Sequence, residues 1–303
     1  IIWLMVAVIG RELAFKRGRI LWVACALLYW FPVHSSLGLG QVSTIISACL
    51  VAAWYFDRYG KSWRCGLALA VATQIKLFPA FMLFYLLARK RWNTLSAFIF
   101  FSVLLSLITV WRVGYEQIFH YIIHIIGSQC KIWGAFPLNH SLTGIVGRLL
   151  GWEQIWTPSL AYAPHLAHGI VFCLCVLLTL VTAVMLLRLP PKHIADNAAY
   201  GLTVVTMLLA SPLTWSHIFT VLLLPLALHL KDGHWALGSH RAWFFLALLL
   251  ISLPDVLIFR GIASLFEHTP PWYITPIFSL PAAGLMIIWL SLMRTAQQLQ
   301  SSA

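Results

Sequence analysis

The residues of this sequence that are best suited to chemistry are a lysine and a histidine that interrupt long apolar runs. Lys76 stands between two such runs, where a lysine in hydrocarbon costs about 2.5–3.5 kcal/mol on insertion scales, so that such residues mark sites by default. His217 ends the motif SPLTWSH. A lysine and a histidine beside helix breaks can neutralise a phosphate. The pattern predicts a site for an anionic ligand; the plainer alternatives are a lysine that extends to lipid headgroups and an ordinary interfacial histidine.

Other polar residues of the same patches are candidates for contacts with that ligand. Gln41 follows the letters GLG and either caps a helix or contacts the ligand. Asn139 and Ser141 lie in PLNHS and match a glycosylation acceptor, but we interpret them as local turn chemistry or a ligand contact. Trp215 fits an interfacial anchor better than a stacking platform, although a substrate contact stays open.

The spacing indicates no metal site and no convincing general base. His120 and His124 are four residues apart, but such a pair without a third ligand is a weak metal signal. We therefore expect neither a metal nor another cofactor. The remaining acids on this side lie in no distinctive motif or look like loop residues: Glu116, Glu153, Asp255 and Glu267.

The elements that position these residues must lie in lipid. The 303 residues are 61% hydrophobic and 9% charged, whereas soluble domains carry roughly a quarter charged residues. Because the apolar runs are nearly continuous, they predict membrane helices rather than barrel strands. The net charge of +12 does not indicate nucleic-acid binding, since the basic residues form short clusters between apolar runs, as topology signals do. The six cysteines form no disulfide framework.

The basic clusters predict the orientation in the membrane. They occur at 11–19, 58–64, 89–91, 188–192, 231–241 and 294. The positive-inside rule places all of them in the cytoplasm, and the polar patches then fall together on the opposite side. Residues 1–303 are thus expected to form a single multi-pass transmembrane domain, with a long periplasmic loop at about 112–165.

This orientation requires short, broken helices. Residues 66–75 and 80–87 form two half-helices separated at 76–79, because proline does not continue a helix without loss. Residues 198–210 and 218–230 are interpreted in the same way, and such breaks are tolerated where they line a cavity. The alternative is two ordinary long spans with the opposite sidedness. In the outer loop, 115–126 predicts a helix lying in the membrane interface and 142–150 a second short amphipathic helix.

Taken in order, the motifs resemble those of a known enzyme family. They are GQVS at 40–43, GLALA at 66–70 followed by KLFP at 76–79 and YLLARKRW at 85–92, NHSL at 139–142, and SPLTWSH at 211–217. Together they are similar to the motifs of polyprenyl-phosphate-sugar-dependent glycosyltransferases of the GT-C fold, in particular the bacterial α-mannosyltransferase-like family 87. The similarity extends from about residue 39 to 229. Its departures are Ser43, His140 and Ile218, where Asn, Gln and a second His are usual.

The resemblance implies an all-α, polytopic GT-C bundle in the bacterial inner membrane with its active side in the periplasm. It implies transfer of a hexose, with mannose expected, from a polyprenyl-phosphate donor to a glycolipid or glycan acceptor, with inversion. Lys76 and His217 are the expected contacts to the leaving phosphate or reacting centre, and Gln41, Asn139 and Ser141 are expected to support them. The general base of the family is an aspartate in the first outer loop, expected upstream of Ile1 and so outside this chain, which we expect to be N-terminally incomplete.

Two other classes of protein remain open at this stage. A transporter or flippase of a polyprenyl-linked substrate also uses broken helices and intramembrane charge, but it is expected to show an internal repeat and polar groups at mid-membrane depth. Neither is evident in the sequence. The other class is an inactive accessory membrane subunit.

Overall fold

The chain folds into a bundle of α-helices joined by short 3₁₀ segments. The computed structural model describes residues 1–151, 159–232, 239–266 and 272–301, and within these ranges it contains helices and no strand. The first seven α-helices are α1 (Ile2–Glu12), α2 (Arg17–Tyr29), α3 (Phe31–Gly38), α4 (Ser43–Arg58), α5 (Ser62–Ile75), α6 (Met82–Ala88) and α7 (Trp92–Val113). The others are α8 (Tyr115–His120), α9 (Ile126–Trp133), α10 (Leu142–Leu150), α11 (Pro164–Arg188), α12 (His193–Ala210), α13 (Leu223–Asp232), α14 (Ser239–Ile251), α15 (Asp255–Leu265) and α16 (Leu280–Ser301). The all-α prediction is confirmed.

Three of the described helical segments are long and apolar enough to cross a membrane. They are Trp92–Val113, Pro164–Arg188 and Tyr273–Ser301. A fourth candidate is the pair His240–Ile251 and Asp255–Leu265, which is bent by 63° at its break. These segments support a multi-pass membrane protein, as the sequence predicts.

Both predicted helix breaks are present. Helix α5 ends at Ile75, Lys76 is extended (φ −146°, ψ 141°), and a 3₁₀ helix at Phe78–Phe81 leads into the short α6. Pro79 lies in the first turn of that 3₁₀ helix, where a missing N–H is tolerated.

The second break follows α12 and leads through 211–215 to a 3₁₀ helix at Ser216–Leu222 and then α13. Helix α12 begins at His193 rather than at the predicted residue 198, because the residues before 198 also pack into the bundle: Ala195 and Asn197 are buried.

The breaks lie at one end of the bundle, and ion pairs lie at the other. We call the end that carries Gln41, Lys76 and His217 the outer end, and the opposite end the inner end. At the inner end the side chain of Asp196 lies 2.7 Å from Arg89 and 2.9 Å from Arg91. The Arg89 guanidinium also donates to the carbonyls of Leu186, Leu189 and Pro190. This arrangement anchors the end of α6 to the end of α11.

Helix α12 is the central helix of the bundle. Every side chain from Asn197 to Leu209 is buried, so the polar ones must find partners inside the protein. Thr206 shares hydrogen bonds with Thr182 and with the indole of Trp289. The helix therefore forms a rigid wall, and its outer end at Ala210 leads directly into the SPLTWSH motif.

The outer stretch after α7 is helical, as predicted, but the α8–α9 segment and α10 differ in their surroundings. Helices α8 and α9 are joined by one π-helical segment, Tyr121–Ile125, and most of their side chains are exposed. The location of this α8–α9 segment in the membrane interface stays a prediction. Helix α10 has the predicted bounds but packs into the protein, where Arg148 is almost fully buried.

Candidate active site at the outer end

Both breaks open into one cavity of about 700 Å³ at the outer end. Of the six residues predicted to form the site, four line this cavity: Gln41, Lys76, Trp215 and His217. They come from the α3–α4 turn, the α5–α6 break and the α12–α13 break, and the inner face of α9 closes the fourth side with Gln129, Cys130 and Trp133. The structure thus brings together residues that are up to 176 positions apart.

The walls of the cavity are mainly apolar and aromatic. The apolar lining residues include Leu77, Phe78 and Phe81, which follow Lys76 in the chain, together with Met207 and Ile218. Among the described residues, no Asp or Glu lines the cavity. Since the ionisable side chains that reach it from the two breaks are those of Lys76 and His217, the cavity favours an anionic group attached to an apolar body.

Lys76 and His217 lie at the outer breaks, outside the long spanning helices, and each is affected by its surroundings. Burial lowers the pKa of the Lys76 ammonium. Burial and, to a smaller extent, the positive charge of Lys76 lower the pKa of the His217 imidazole to about 4. At neutral pH the His217 imidazole is therefore neutral and can donate one N–H bond.

Trp215 lies in an aromatic cluster at the rim of the cavity. Its ring centroid is 5.6 Å from that of Trp133, 5.3 Å from Phe136 and 5.8 Å from His217. The side chain is therefore part of a wall, which is a different setting from the isolated interfacial anchor that the sequence favoured.

Gln41 also lines the cavity and does not cap the following helix. The first residue before α4 is Val42, and no side-chain hydrogen bond caps that helix. Gly40, which has φ 62°, makes the turn that directs the chain from α3 to Gln41. The capping interpretation also holds, but for the preceding helix: the N–H of Gln41 donates to the carbonyl of Ser36 and the N–H of Gly40 to that of Leu37, which caps the C-terminus of α3.

Asn139 and Ser141 do not line the cavity, and each is 0% exposed. The amide of Asn139 donates to the carbonyls of Gly134 and Pro212 and accepts from the backbone N–H of Thr214. The Ser141 hydroxyl bonds to Asn139 and accepts from the N–H of Gly144, which makes it the N-cap of α10. The interpretation as local turn chemistry accounts for the contacts of both residues. Instead of lining the cavity as ligand contacts, Asn139 and Ser141 support the loop that carries Trp215 and His217.

The sequence model described as Glycosyltransferase family 87 matches residues 1–212, which is more than two thirds of the chain. The chain belongs to glycosyltransferase family 87. The match includes the Gln41, Lys76 and Asn139 motifs and the start of SPLTWSH.

Curated relatives of this family 87 chain are mannosyltransferases by name. A polyprenol-phosphate-mannose-dependent alpha-(1-2)-phosphatidylinositol pentamannoside mannosyltransferase of Mycolicibacterium smegmatis is 29% identical over 282 residues, which cover 90% of this chain and 62% of the relative. The protein of the same name from Mycobacterium tuberculosis (strain CDC 1551 / Oshkosh) is 28% identical over 84% of this chain and 55% of the relative.

A polyprenol-phosphate-mannose-dependent alpha-(1-2)-phosphatidylinositol mannoside mannosyltransferase of Mycobacterium tuberculosis (strain ATCC 25618 / H37Rv) is 27% identical over 91% of this chain and 61% of the relative. The chain thus spans between 55% and 62% of the length of these three relatives. No solved structure matches it.

Asp255 is a buried acid near the cavity whose setting sequence reasoning missed. It was expected to be a loop residue, but it begins α15, its side chain is 4% exposed, and its Oδ2 lies 2.6 Å from Nε2 of His140. Its Oδ1 accepts the N–H of Val256. The available signal was an acid directly after Pro254 at the start of an apolar run, which is typical of a helix N-terminus. Glu153 and Glu267 lie outside the described residues.

Arg148 is the second residue whose importance the sequence did not show. Its guanidinium donates to the carbonyls of Phe136 and Asn139 and to the hydroxyl of Ser279. Complete burial lowers the pKa of Arg148 to about 9, although a guanidinium stays charged at neutral pH. Only the structure shows that Arg148 holds the Asn139 turn from behind.

The histidine pair considered for metal binding lies outside the cavity. The rings of His120 and His124 are 4.9 Å apart and exposed on the α8–α9 segment. Within the described ranges, no group of three or more His, Cys, Asp or Glu side chains is placed to hold a metal ion.

Proposed function

We propose that this protein is a membrane glycosyltransferase that moves mannose from a polyprenyl-phosphate donor to a glycolipid or glycan acceptor on the periplasmic side of the bacterial inner membrane. The observation that carries the proposal is the meeting of Lys76 and His217 in one apolar cavity at the outer end. The names of the mycobacterial relatives support the donor and a phosphatidylinositol mannoside type of acceptor.

The chemistry of Lys76 and His217 suits a departing phosphate. When the bond between the sugar carbon and the phosphate oxygen breaks, negative charge grows on the lipid phosphate. Lys76 supplies a fixed positive charge at that position, and the neutral His217 imidazole supplies a hydrogen-bond donor. Groups that interact more strongly with the leaving phosphate than with the intact donor lower the barrier.

The remaining lining residues suit the other parts of the donor. Leu77, Phe78 and Phe81 provide an apolar surface along which isoprenoid units can pack. The Trp133 and Trp215 pair provides an aromatic wall against which a sugar ring can lie. Gln41 adds an amide that can bond sugar hydroxyls or phosphate oxygens. Membrane lipids are the expected surroundings, and nucleic acid is not an expected partner.

The general base that the family resemblance implies is an aspartate of the first outer loop. In a single displacement the acceptor hydroxyl attacks the sugar carbon, its proton passes to that carboxylate, and the carbon–phosphate oxygen bond breaks. The product is then the glycoside of inverted configuration and polyprenyl phosphate. No metal or other cofactor enters this scheme.

The test uses the full-length protein in membrane vesicles with radiolabelled polyprenyl-phosphate mannose. Transfer to lipid or glycan is measured for the wild type, Lys76→Ala, His217→Ala and the control Lys131→Ala, an exposed lysine of α9. We expect transfer by the wild type and the control, a loss of at least tenfold in the other two, and opposite anomeric configurations in donor and product. Movement of the donor across the membrane without transfer would favour the transporter alternative, and transfer that survives both substitutions would remove this site.

A further inference from the structure

The Asp255–His140 pair is a buried carboxylate–imidazole contact directly behind the cavity. The Asp255 Oδ2 to His140 Nε2 distance is 2.6 Å, and the side chains are 4% and 0% exposed. Neither residue lines the cavity, and neither side chain takes part in the hydrogen bonds by which Asn139, Ser141 and Arg148 support the loop. A buried, close contact of this kind is costly to maintain unless it contributes to the fold or to the site.

The pair is connected to His217 through the backbone. The N–H of His140 donates to the carbonyl of Thr214 at 2.6 Å, and Thr214 is three residues before His217. The negative charge of Asp255 also acts on the His217 imidazole, in the direction opposite to the positive charge of Lys76. Asp255 is thus the negative charge that acts on His217 from behind, opposite to the positive charge of Lys76.

The hydrogen bonds indicate the charge of the pair. His140 Nδ1 is buried and has no hydrogen-bond partner within the described residues. If His140 carried two protons, Nδ1 would be an unpaired donor on a charged ring, which is more costly than an unpaired acceptor on a neutral ring. The geometry therefore favours a neutral His140 that donates its Nε2–H to an ionised Asp255, so that the pair carries one negative charge.

We infer that Asp255 and His140 are positioning residues that hold the loop bearing His217 and place one negative charge behind it, which weakens the hold of the cavity on the departing lipid phosphate. This inference rests on the proposed function, because it assumes that the anion in the cavity is polyprenyl phosphate. Lys76 and His217 then attract the phosphate, and Asp255 limits that attraction so that the product can leave.

The first experiment needs no activity. In the full-length wild-type protein labelled with ¹⁵N-histidine, the His140 signals, assigned by their absence in His140→Gln, report which ring nitrogen is protonated. We expect Nε2 protonated and Nδ1 unprotonated. Two protonated nitrogens would overturn the assigned charge, and this result does not depend on the folding of any Asp255 variant.

The second experiment measures the affinity of the purified protein for polyprenyl phosphate. Asp255→Asn keeps a hydrogen-bond partner for His140 but removes the negative charge, so we expect three- to tenfold tighter binding. His140→Gln keeps the carboxylate and an N–H donor and is expected to stay within twofold of the wild type. The control Glu116→Gln removes an exposed carboxylate on α8 and is expected to change nothing, because solvent screens that charge.

The possible outcomes separate this inference from the proposed function. A purely structural role predicts unchanged or weaker binding in Asp255→Asn, and either result would overturn the inference, as would equal tightening in Glu116→Gln. If the wild type transfers mannose while Asp255→Asn binds like the wild type, the proposed function stands and the inference fails. If the wild type does not bind polyprenyl phosphate, the proposed function fails, and the His140 signals still decide the charge of the pair.

Discussion

The side-chain oxygen of Asn139 accepts a hydrogen bond from the backbone N–H of Thr214, 75 positions later in the chain, at 3.0 Å. The amide nitrogen of the same side chain donates to the carbonyls of Gly134 and Pro212. One buried side chain thus joins the NHSL turn to the SPLTWSH loop. The position of His217 in the cavity depends on a residue that does not itself reach the cavity.

Replacing Asn139 is therefore expected to damage the site from behind. Asn139→Ala leaves several buried donors and acceptors unpaired and is expected to lower the free energy of unfolding by about 2–4 kcal/mol, since each unsatisfied group costs about 1–3 kcal/mol. The measurement is thermal unfolding in detergent, with the exposed Asn93→Ala as the matched control. Asn139→Asp is expected to resemble Asn139→Ala, because a carboxylate cannot donate to the two carbonyls; a stability equal to that of the wild type in either variant would contradict this role.

Gly144 is expected to tolerate no side chain. A Cβ atom there would overlap the backbone carbonyl of Asn139, so Gly144→Ala must displace the NHSL turn. We expect loss of most transfer activity together with a lower unfolding temperature. Gly169→Ala is the matched control, because nothing lies within 4 Å of its Cβ position in α11 and alanine favours a helix over glycine by about 1 kcal/mol. If both variants behave alike, the close approach at Gly144 is not important.

Lys76 is expected to act through its charge. Lys76→Met is expected to weaken binding of polyprenyl phosphate at least tenfold, and Lys76→Arg is expected to retain part of the affinity because it retains the charge but fits the phosphate differently. Affinity is measured at low and high salt, since a charge contact in a partly open cavity weakens as ionic strength rises. Equal affinities for the Met and Arg variants would show that packing, not charge, is what Lys76 supplies.

We expect Arg89 to contribute to the stability of the fold and not to the binding of the donor. Its side chain is 7% exposed and contacts both Asp196 and the carbonyls of Leu189 and Pro190, which directly follow α11. Arg89→Ala leaves the Asp196 carboxylate short of a partner and is expected to destabilise the protein by about 3–5 kcal/mol. The unfolding temperature and the donor KM are measured beside Arg188→Ala, an exposed arginine. If Arg89→Ala raises the donor KM in correctly folded protein, the claim that the inner-end ion pairs do not affect the cavity at the outer end would be contradicted.

The breaks and the apolar helices could be predicted from the sequence because their causes are local. Pro79 and Pro212 interrupt apolar runs, and the basic residues mark one end of each run. The His140–Asp255 contact could not be predicted in this way, since its partners are 115 positions apart and neither residue type is unusual in a loop. The same holds for Asn139: its motif showed that it matters, but only its five hydrogen bonds show that it is a structural link behind the cavity.

The segment of the chain that returns from Lys76 to the inner end is short. The 3₁₀ helix at Phe78–Phe81 and the seven-residue α6 rise by about 18 Å together at 2.0 and 1.5 Å per residue, whereas the hydrocarbon layer is about 30 Å thick. With Arg89 at one lipid surface, Lys76 then lies inside the hydrocarbon layer, short of the other surface. A lipid phosphate, which normally lies at headgroup level, must move inward to reach Lys76, or the bilayer must be thinner there. Under the proposed function, turnover is therefore expected to depend on the thickness of the bilayer around the protein, with short-chain lipids bringing the donor to Lys76 more readily than long-chain ones.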